Sequence, residues 1–211
     1  MKKQFLFTAL LALSLTAQAT LYSYDFTSIN TTIPDANPTG IANNQTVALG
    51  TLPSGTTTSI VNVDVRLNIS GGYNGDLYGY LVLQSADSST TTAILLNRIG
   101  TGGGDLYGNT GAGINVTLSG SGATDIHNAA FGSVTGTYQP DGGTTLAALN
   151  GRNANGTWTL FLADLSGGDV SQLVSWGMDI SVVPEPITWA LLVFGATTVG
   201  LVAYRRRAVR A

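Results

Sequence analysis

The segment from Ile60 to Ile69 alternates strictly between apolar and polar residues, which constrains the fold more than any other feature of the chain. Successive side chains of a β-strand point to opposite faces, so this segment has one face in a core and the other in water. Shorter apolar or alternating runs recur between clusters of Gly, Asn, Asp and Ser that are typical of turns. They predict further strands at 77–84, 92–97, 114–118, 157–162 and 173–182. This pattern indicates an all-β fold, an antiparallel β-sandwich.

Two of the predicted strands carry a tryptophan on the inner face. Residues 157–162 place Trp158 among leucines, and residues 173–182 place Trp176 on one face with Val174 and other apolar residues. We expect both indoles to lie between the two sheets, each with a hydrogen-bond partner for its N–H group.

Two segments have weaker patterns. Residues 20–58 form a lead-in rich in Asn, Thr and Pro, for which we predict one or two short edge strands. Residues 125–143 are irregular, and we expect Phe131 and Tyr138 to fill gaps in the core. The central sandwich is therefore predicted to span residues 59–182.

The N-terminus has the three parts of a secretory signal peptide. Lys2 and Lys3 precede an apolar run, and Ala17-Gln18-Ala19 offers small residues at a cleavage site. We predict that residues 1–19 are removed after Ala19 and that the rest of the chain is exported.

The C-terminal segment, residues 183–211, also has three parts. Val183, Pro184, Glu185 and Pro186 are followed by an uncharged apolar segment at 187–204 and by the basic cluster Arg205, Arg206 and Arg207. As a helix the apolar segment is about 27 Å long, enough for a bilayer core, and the arginines would lie on the cytoplasmic side. We predict one C-terminal transmembrane helix, with 205–211 as a basic tail.

This C-terminal segment resembles the PEP-CTERM sorting signal of Gram-negative bacteria. The resemblance implies that an exosortase, a membrane protease, recognises the motif at 183–186 and removes the anchor. The alternative is an ordinary C-terminal membrane anchor whose Pro-Glu-Pro sequence arose by chance.

Charge and cysteine content exclude several functions. All twelve acidic residues lie between Asp25 and Glu185, and only three of the nine basic residues do, so the exported part has a net charge of −9. Such a domain should not bind nucleic acid, but it is compatible with cations. The chain contains no cysteine and one histidine, which excludes disulfides and zinc sites built from Cys and His.

The middle of the chain resembles the P (P/Homo B) domain of proprotein convertases, a jelly-roll-like β-sandwich. The resemblance rests on an ordered set of segments, of which Asn155 to Leu160 is the most specific; the others are Tyr73–Leu77, Leu95–Arg98, Gly136–Pro140, Leu146–Gly151, Asp164, Gly167–Asp169 and Leu173–Ile180. In that family the domain stabilises an adjoining protease catalytic domain. The resemblance implies the fold and a separate secreted serine protease as a possible partner, but not proteolysis.

We predict no catalytic residues, and therefore no enzyme. A Ser-His-Asp hydrolase needs a histidine as proton shuttle, and the single candidate, His127, lies in an irregular segment without a nucleophile motif. A loop-packing role is the simpler interpretation of His127.

Calcium is the one cofactor that the residues favour. Four aspartates lie in or next to glycine-containing loops, and carboxylates in flexible loops are calcium ligands: Asp76, Asp105, Asp164 and Asp169. Residues 75–79 and 104–108 share the sequence Gly-Asp-Leu-Tyr-Gly, which predicts two related loops. Ordinary turn chemistry is the alternative interpretation.

Together these features predict an exported, non-enzymatic surface or extracellular-matrix protein with a binding or structural role. It would be anchored in the inner membrane as an intermediate and then reach the cell surface or the extracellular space. Tyrosines near the glycine-rich loops, such as Tyr73 and Tyr107, suggest extracellular polysaccharide as a partner; the simpler interpretation is that they cover one end of the sandwich. The alternative is an accessory module that stabilises a separate secreted protease.

Overall fold

The computed structural model describes residues 19–50, 56–129, 131–143 and 145–184, together with Gly195 and Thr197. All six predicted strands form, and four others join them. In chain order the strands are β1 (Thr20–Phe26), β2 (Thr31–Ile33), β3 (Asn37–Val47), β4 (Thr56–Gly71), β5 (Leu77–Ser85), β6 (Thr90–Asn97), β7 (Ile114–Leu118), β8 (Val134–Tyr138), β9 (Gly156–Asp164) and β10 (Ser171–Pro184). Short 3₁₀ turns lie at Asn74–Asp76, Thr101–Gly103, Ile126–Asn128 and Thr145–Leu149. The all-β prediction is confirmed for this part of the chain.

The strands form two sheets that pack face to face as a sandwich. The first sheet has the order β1-β10-β4-β7-β8, with β2 also paired to β10, and the second has the order β3-β9-β5-β6. The prediction of a wholly antiparallel sandwich is wrong at one place, because β7 and β8 are parallel. A parallel pair needs a connection that returns the chain to the starting end, and residues 119–133 with their 3₁₀ turn provide it.

The lead-in contributes more strand than we predicted. β1 and β2 both pair with β10 at the edge of the first sheet, and β3 forms an edge of the second. The edge positions agree with the prediction, but β3 has 11 residues. Its side chains are mostly polar, so its sequence lacks the alternation that identifies a strand with a buried face.

Both predicted tryptophans are buried between the sheets. Trp158 is 0% exposed and its indole nitrogen donates to Ala154 O at 3.0 Å, while Trp176 is 2% exposed and donates to Asn43 Oδ1 at 2.8 Å. Val174 does not share the inner face with Trp176 as predicted. A register shift between Leu173 and Ser175 inserts one extra residue, so Leu173 is buried and Val174 is partly exposed.

The two aromatic residues that we expected to fill the core behave differently. Tyr138 packs against the core at the end of β8. Phe131 is 76% exposed, so the prediction for it is wrong. It lies in the connection before β8, where no strand pairing directs its side chain toward the core.

The predicted targeting segments fall largely outside the described residues. These segments are the signal peptide up to Gln18 including Ala17, the motif residues Glu185 and Pro186, the anchor at 187–204 apart from Gly195 and Thr197, and the cluster Arg205, Arg206 and Arg207. Within the described ranges, no helix has both the length and the apolar character needed to cross a bilayer. Ala19 is described directly before β1, and Val183 and Pro184 are the last residues of β10.

Candidate functional site

The two ends of the sandwich are formed by different strand ends and loops. At one end Thr20 pairs with Val182, so β1 starts where β10 finishes. At the opposite end Ser171 pairs with Gly71 and Asp164 pairs with Leu77. Short connections at 72–76 and 165–170 join the two sheets there. We call this second end, with the loops at 34–36, 72–76, 98–113 and 165–170, the loop pole. It is separated from Val182 by about 36 Å along β10.

Two of the predicted calcium ligands meet at the loop pole. Asp164, the last residue of β9, is 1% exposed, and its Oδ1 accepts a hydrogen bond from Ser166 N at 3.3 Å. Asp76 ends the 3₁₀ turn before β5, and its carboxylate accepts from the Ser166 hydroxyl. The Asp76 carbonyl also accepts from Leu165 N at 3.0 Å. Both carboxylates therefore converge on the start of the 165–170 loop.

Two further aspartates surround this pair. Asp35 accepts from Gly168 N with both carboxylate oxygens, at 3.1 and 3.3 Å. Asp169 lies close enough for its charge to act on both Asp76 and Asp164. We call Asp35, Asp76, Asp164 and Asp169 the aspartate cluster. Asp35 was missed from the sequence because it reaches the cluster only through the pairing of β3, at Asn37, with Asp164.

The cluster shifts the titration of its buried members. Burial raises the pKa of Asp164 to about 6; the charges of Asp76, Asp35 and Asp169 act in the same direction and the Ser166 amide opposes them. Burial also raises the pKa of Asp76, although Arg98 and the Ser166 hydroxyl lower it. Keeping Asp164 ionised is therefore unfavourable in free energy, and binding of a proton or a cation to its carboxylate would reduce this cost.

Asp105 does not belong to the cluster. Its Oδ1 accepts from Tyr107 N at 2.9 Å within its own turn. The two Gly-Asp-Leu-Tyr-Gly segments also differ in structure. A Cβ at Gly75 would lie 2.0 Å from Tyr107 O, whereas Gly104 has a φ of +91° and open space around it. The same sequence thus forms the start of a buried strand in one place and an exposed turn in the other.

A preformed metal centre is not evident in this part of the molecule. Among residues 19–50, 56–129, 131–143 and 145–184, no group of three or more His, Asp or Glu side chains is spaced to hold an ion. Calcium binding by the loop aspartates therefore stays a prediction.

His127 lies in an open pocket next to the loop pole, lined also by Arg98, Thr101 and Leu106. Its Nδ1 is 2.6 Å from Asp141 Oδ2 and its Nε2 is 3.4 Å from Thr101 Oγ1. This arrangement resembles a nucleophile, a base and an orienting acid, which the sequence did not suggest. The Thr101 hydroxyl, however, donates to Arg98 O at 2.8 Å, so its proton is directed away from the imidazole. Burial raises the pKa of Asp141, and the neighbouring His127 opposes that shift.

Exposed apolar side chains are concentrated around the loop pole. Phe131 is 76% exposed, and the next residue, Gly132, has its carbonyl within 2.6 Å of a Cβ built at Gly111 in the 98–113 loop. Among the described residues, five of the seven large apolar side chains that are exposed lie here: Leu106, Tyr107, Phe131, Leu165 and Val170. The other two, Leu21 and Val61, lie on β1 and β4 away from these loops. Together with the aspartate cluster, this makes the loop pole both acidic and apolar.

Comparison with known proteins identifies no family for this chain and two structures of low similarity. No family model matches the chain, and no curated protein matches it. Among solved structures, a chain from the serine protease of Aeromonas sobria in complex with the chaperone has 14% identity and a TM-score of 0.44. A chain from the serine protease of Aeromonas sobria has 13% identity and a TM-score of 0.43. Each match covers 80% of this chain and 27% of the other, so the chain spans about a quarter of their length.

Proposed function

We propose that the chain is an exported, non-enzymatic β-sandwich protein with a binding or structural role at the cell surface or in the extracellular matrix. In this proposal a signal peptide directs export, and the C-terminal helix holds an inner-membrane intermediate. An exosortase-type protease then processes the chain at the motif Val183-Pro184-Glu185-Pro186. The sequence features at both termini support this order of export, membrane anchoring and processing.

The pairing of Thr20 with Val182 is the observation that carries the proposal. Ala19, the predicted cleavage residue, and Val183, the first residue of the predicted sorting motif, adjoin this pair and therefore lie at the same end of the sandwich. A chain held by its C-terminal segment would therefore have that end toward the membrane. The loop pole, with its exposed apolar side chains, would face outward and serve as the binding surface.

The charge of the exported part narrows the class of partner. A net charge of −9 and the aspartates at the loop pole disfavour nucleic acid and anionic lipid surfaces. Extracellular polysaccharide suits the exposed Tyr107, since an aromatic ring can pack on the apolar face of a sugar.

Processing is tested by mass spectrometry of the product isolated from cells that make an exosortase. We expect the mature chain to begin at Thr20 and to end near the Pro-Glu-Pro motif. Glu185→Ala should leave the anchor uncleaved and the protein in the membrane fraction. Arg210→Ala, a change in the same tail outside the cluster Arg205–Arg207, is the matched control and should be processed normally. A native product that retains Arg210 would contradict this proposal.

The binding surface is tested separately by retention of the processed protein on the cell surface or matrix. Leu106→Ser and Phe131→Ser alter exposed side chains at the loop pole and should release the protein into the medium. Leu21→Ser is the control, because Leu21 is 61% exposed at the opposite end. Equal retention of all three variants would exclude the loop pole as the binding surface.

The second candidate function is an accessory, jelly-roll-like module that binds and stabilises a separate secreted protease. The ordered segments that resemble the P domain favour it, especially Asn155 to Leu160 and the Asp164 that follows. Co-purification distinguishes the two functions. A protease recovered with the wild-type chain, and lost with Leu106→Ser, supports the accessory module; recovery of polysaccharide supports the first function.

A further inference from the structure

One buried carboxylate oxygen at the loop pole has no partner. In the described part of the chain, four buried side-chain polar atoms lack a hydrogen bond: Asn74 Oδ1, Asp141 Oδ2, Asp164 Oδ2 and Ser171 Oγ. Asp141 Oδ2 is paired with the imidazole of His127. Asp164 Oδ2 has no ion pair with any described residue. Among these four atoms, Asp164 Oδ2 is the one carboxylate oxygen with neither a hydrogen-bond donor nor an ion-pair partner.

Such an oxygen requires a physical explanation. Burying an ionised carboxylate without a compensating contact is strongly unfavourable, and buried charges are normally paired or coordinate a metal. The charges that act on Asp164 make the problem worse, because those of Asp76, Asp35 and Asp169 are all negative. Arg98 acts on Asp76 and is bonded instead to the carbonyls of Gly75 and Leu106. In the part of the chain that the structure describes, no Lys or Arg forms an ion pair with Asp164.

We propose that Asp164 and Asp76 form a divalent cation site at the loop pole, with calcium as the preferred ion. Asp35 and Asp169 contribute negative potential around it. This site goes beyond the proposed function and does not depend on the sorting route.

The donor chemistry favours calcium over transition metals. The cluster offers carboxylate oxygens, which suit calcium, whereas zinc or copper would need His or Cys. Fewer than three carboxylates are spaced around any one point in the described residues, so water must supply several of the six to eight oxygens that calcium takes. We therefore expect a weak site, with a Kd on the order of 1 mM, as in extracellular calcium modules.

An ion at this position would act on the binding surface. Ser166 and Gly168 already connect the 165–170 loop to Asp164, Asp76 and Asp35. Neutralising the cluster would tighten these contacts and fix the two exposed apolar residues of the loop, Leu165 and Val170. Calcium would thus order part of the loop pole.

The test is thermal unfolding of the full chain in detergent after EDTA treatment, with and without calcium, together with calcium titration calorimetry. At a calcium concentration about five times the Kd, we expect the Tm to rise by about 2–4 °C. Asp164→Asn should abolish both the shift and the heat of binding. Asp105→Asn, a loop aspartate outside the cluster, should retain both.

The calcium-dependent shift is the decisive quantity, because Asp164→Asn also removes an unfavourable buried charge and can change the basal Tm. If that variant does not fold, Asp76→Asn provides the same comparison. A wild-type Tm that calcium does not change, or an equal shift in the cluster variants, would overturn the site. An equal response to magnesium would overturn the preference for calcium.

Discussion

The indole nitrogen of Trp176 donates a 2.8 Å hydrogen bond to Oδ1 of Asn43, which links β10 of the first sheet to β3 of the second. The same oxygen accepts from Gln45 Nε2 at 2.8 Å, and the Phe26 ring packs on Trp176 with centroids 4.6 Å apart. A polar contact thus joins the two sheets beside the β3 edge, where the strand offers few apolar side chains.

Asn43→Ala should therefore destabilise the fold. It leaves the Trp176 N–H, on a side chain that is almost fully buried, without an acceptor, and we expect a loss of about 1–3 kcal/mol in the free energy of unfolding. Asn44→Ala is the matched control, because Asn44 is exposed and its side chain accepts a hydrogen bond from the half-buried Thr159 hydroxyl, so stability should change by less than about 0.5 kcal/mol. Urea unfolding of the full chain measures both. Equal stability of the two variants would show that the inter-sheet bond has no net effect.

Glycine at the start of β9 is a second sensitive position. Gly156 has a φ of +150°, and a Cβ there would lie 2.2 Å from Gln84 O in the neighbouring strand. Gly156→Ala should lower the free energy of unfolding by about 2 kcal/mol or more. Gly120→Ala, in open space, should be tolerated. Equal urea midpoints for the two variants would contradict the predicted clash between a Cβ at position 156 and Gln84 O.

Asp164 should make the protein less stable as pH rises. Its pKa in the folded protein, about 6, is above the usual 3.8, so the folded state holds the proton more tightly than the unfolded state. The resulting stabilisation is complete below about pH 4 and is lost as pH rises through about 6. With a pKa of about 6 in the folded protein, the free energy of unfolding should fall by about 3 kcal/mol over this pH range.

The contribution of Asp164 is obtained by subtracting the pH profile of Asp164→Asn from that of the wild type, measured by urea unfolding in EDTA. The subtraction is needed because folding also changes the pKa of other carboxyl groups. The pKa of Asp76 is raised. Burial tends to raise the pKa of Asp179, but the contacts with Ser23 and Arg66 outweigh burial and lower it. Parallel profiles for the two proteins would contradict the assignment.

The arrangement of Thr101, His127 and Asp141 should not be catalytic. Because the threonine hydroxyl donates to Arg98 O, we expect no hydrolysis of ester or peptide substrates by the purified chain. His127→Ala should instead weaken the contact between the 3₁₀ turn at Ile126–Asn128 and Asp141, at a cost of about 1 kcal/mol. A hydrolytic rate that His127→Ala abolishes would establish an enzyme and refute this prediction.

The local pattern of apolar and polar residues explains which strands could be predicted from the sequence and which could not. β4 was predicted because burial of one face imposes a period of two on its residues. β8 was not, since Val134 is its one fully buried residue and the strand depends on backbone pairing with β7. Val174 was assigned to the wrong face because the bulge beside it reverses the alternation without changing the composition.

The same division applies to the candidate site. Asp76 and Asp164 could be selected from the sequence, since Asp76 directly precedes a predicted strand, Asp164 closely follows another, and both lie near glycine-containing loops. Asp105 has the same local sequence as Asp76 but lies in an exposed turn, and Asp35 has no motif at all.

By itself the amino-acid sequence determined the all-β class, the positions of most strands and the acidity of residues 25–185, because these depend on local periodicity and composition. Tertiary structure alone decided that four aspartates surround one loop and that Thr20 meets Val182. Both facts arise from pairing between strands far apart in the chain, and no local pattern encodes which distant strands will be neighbours.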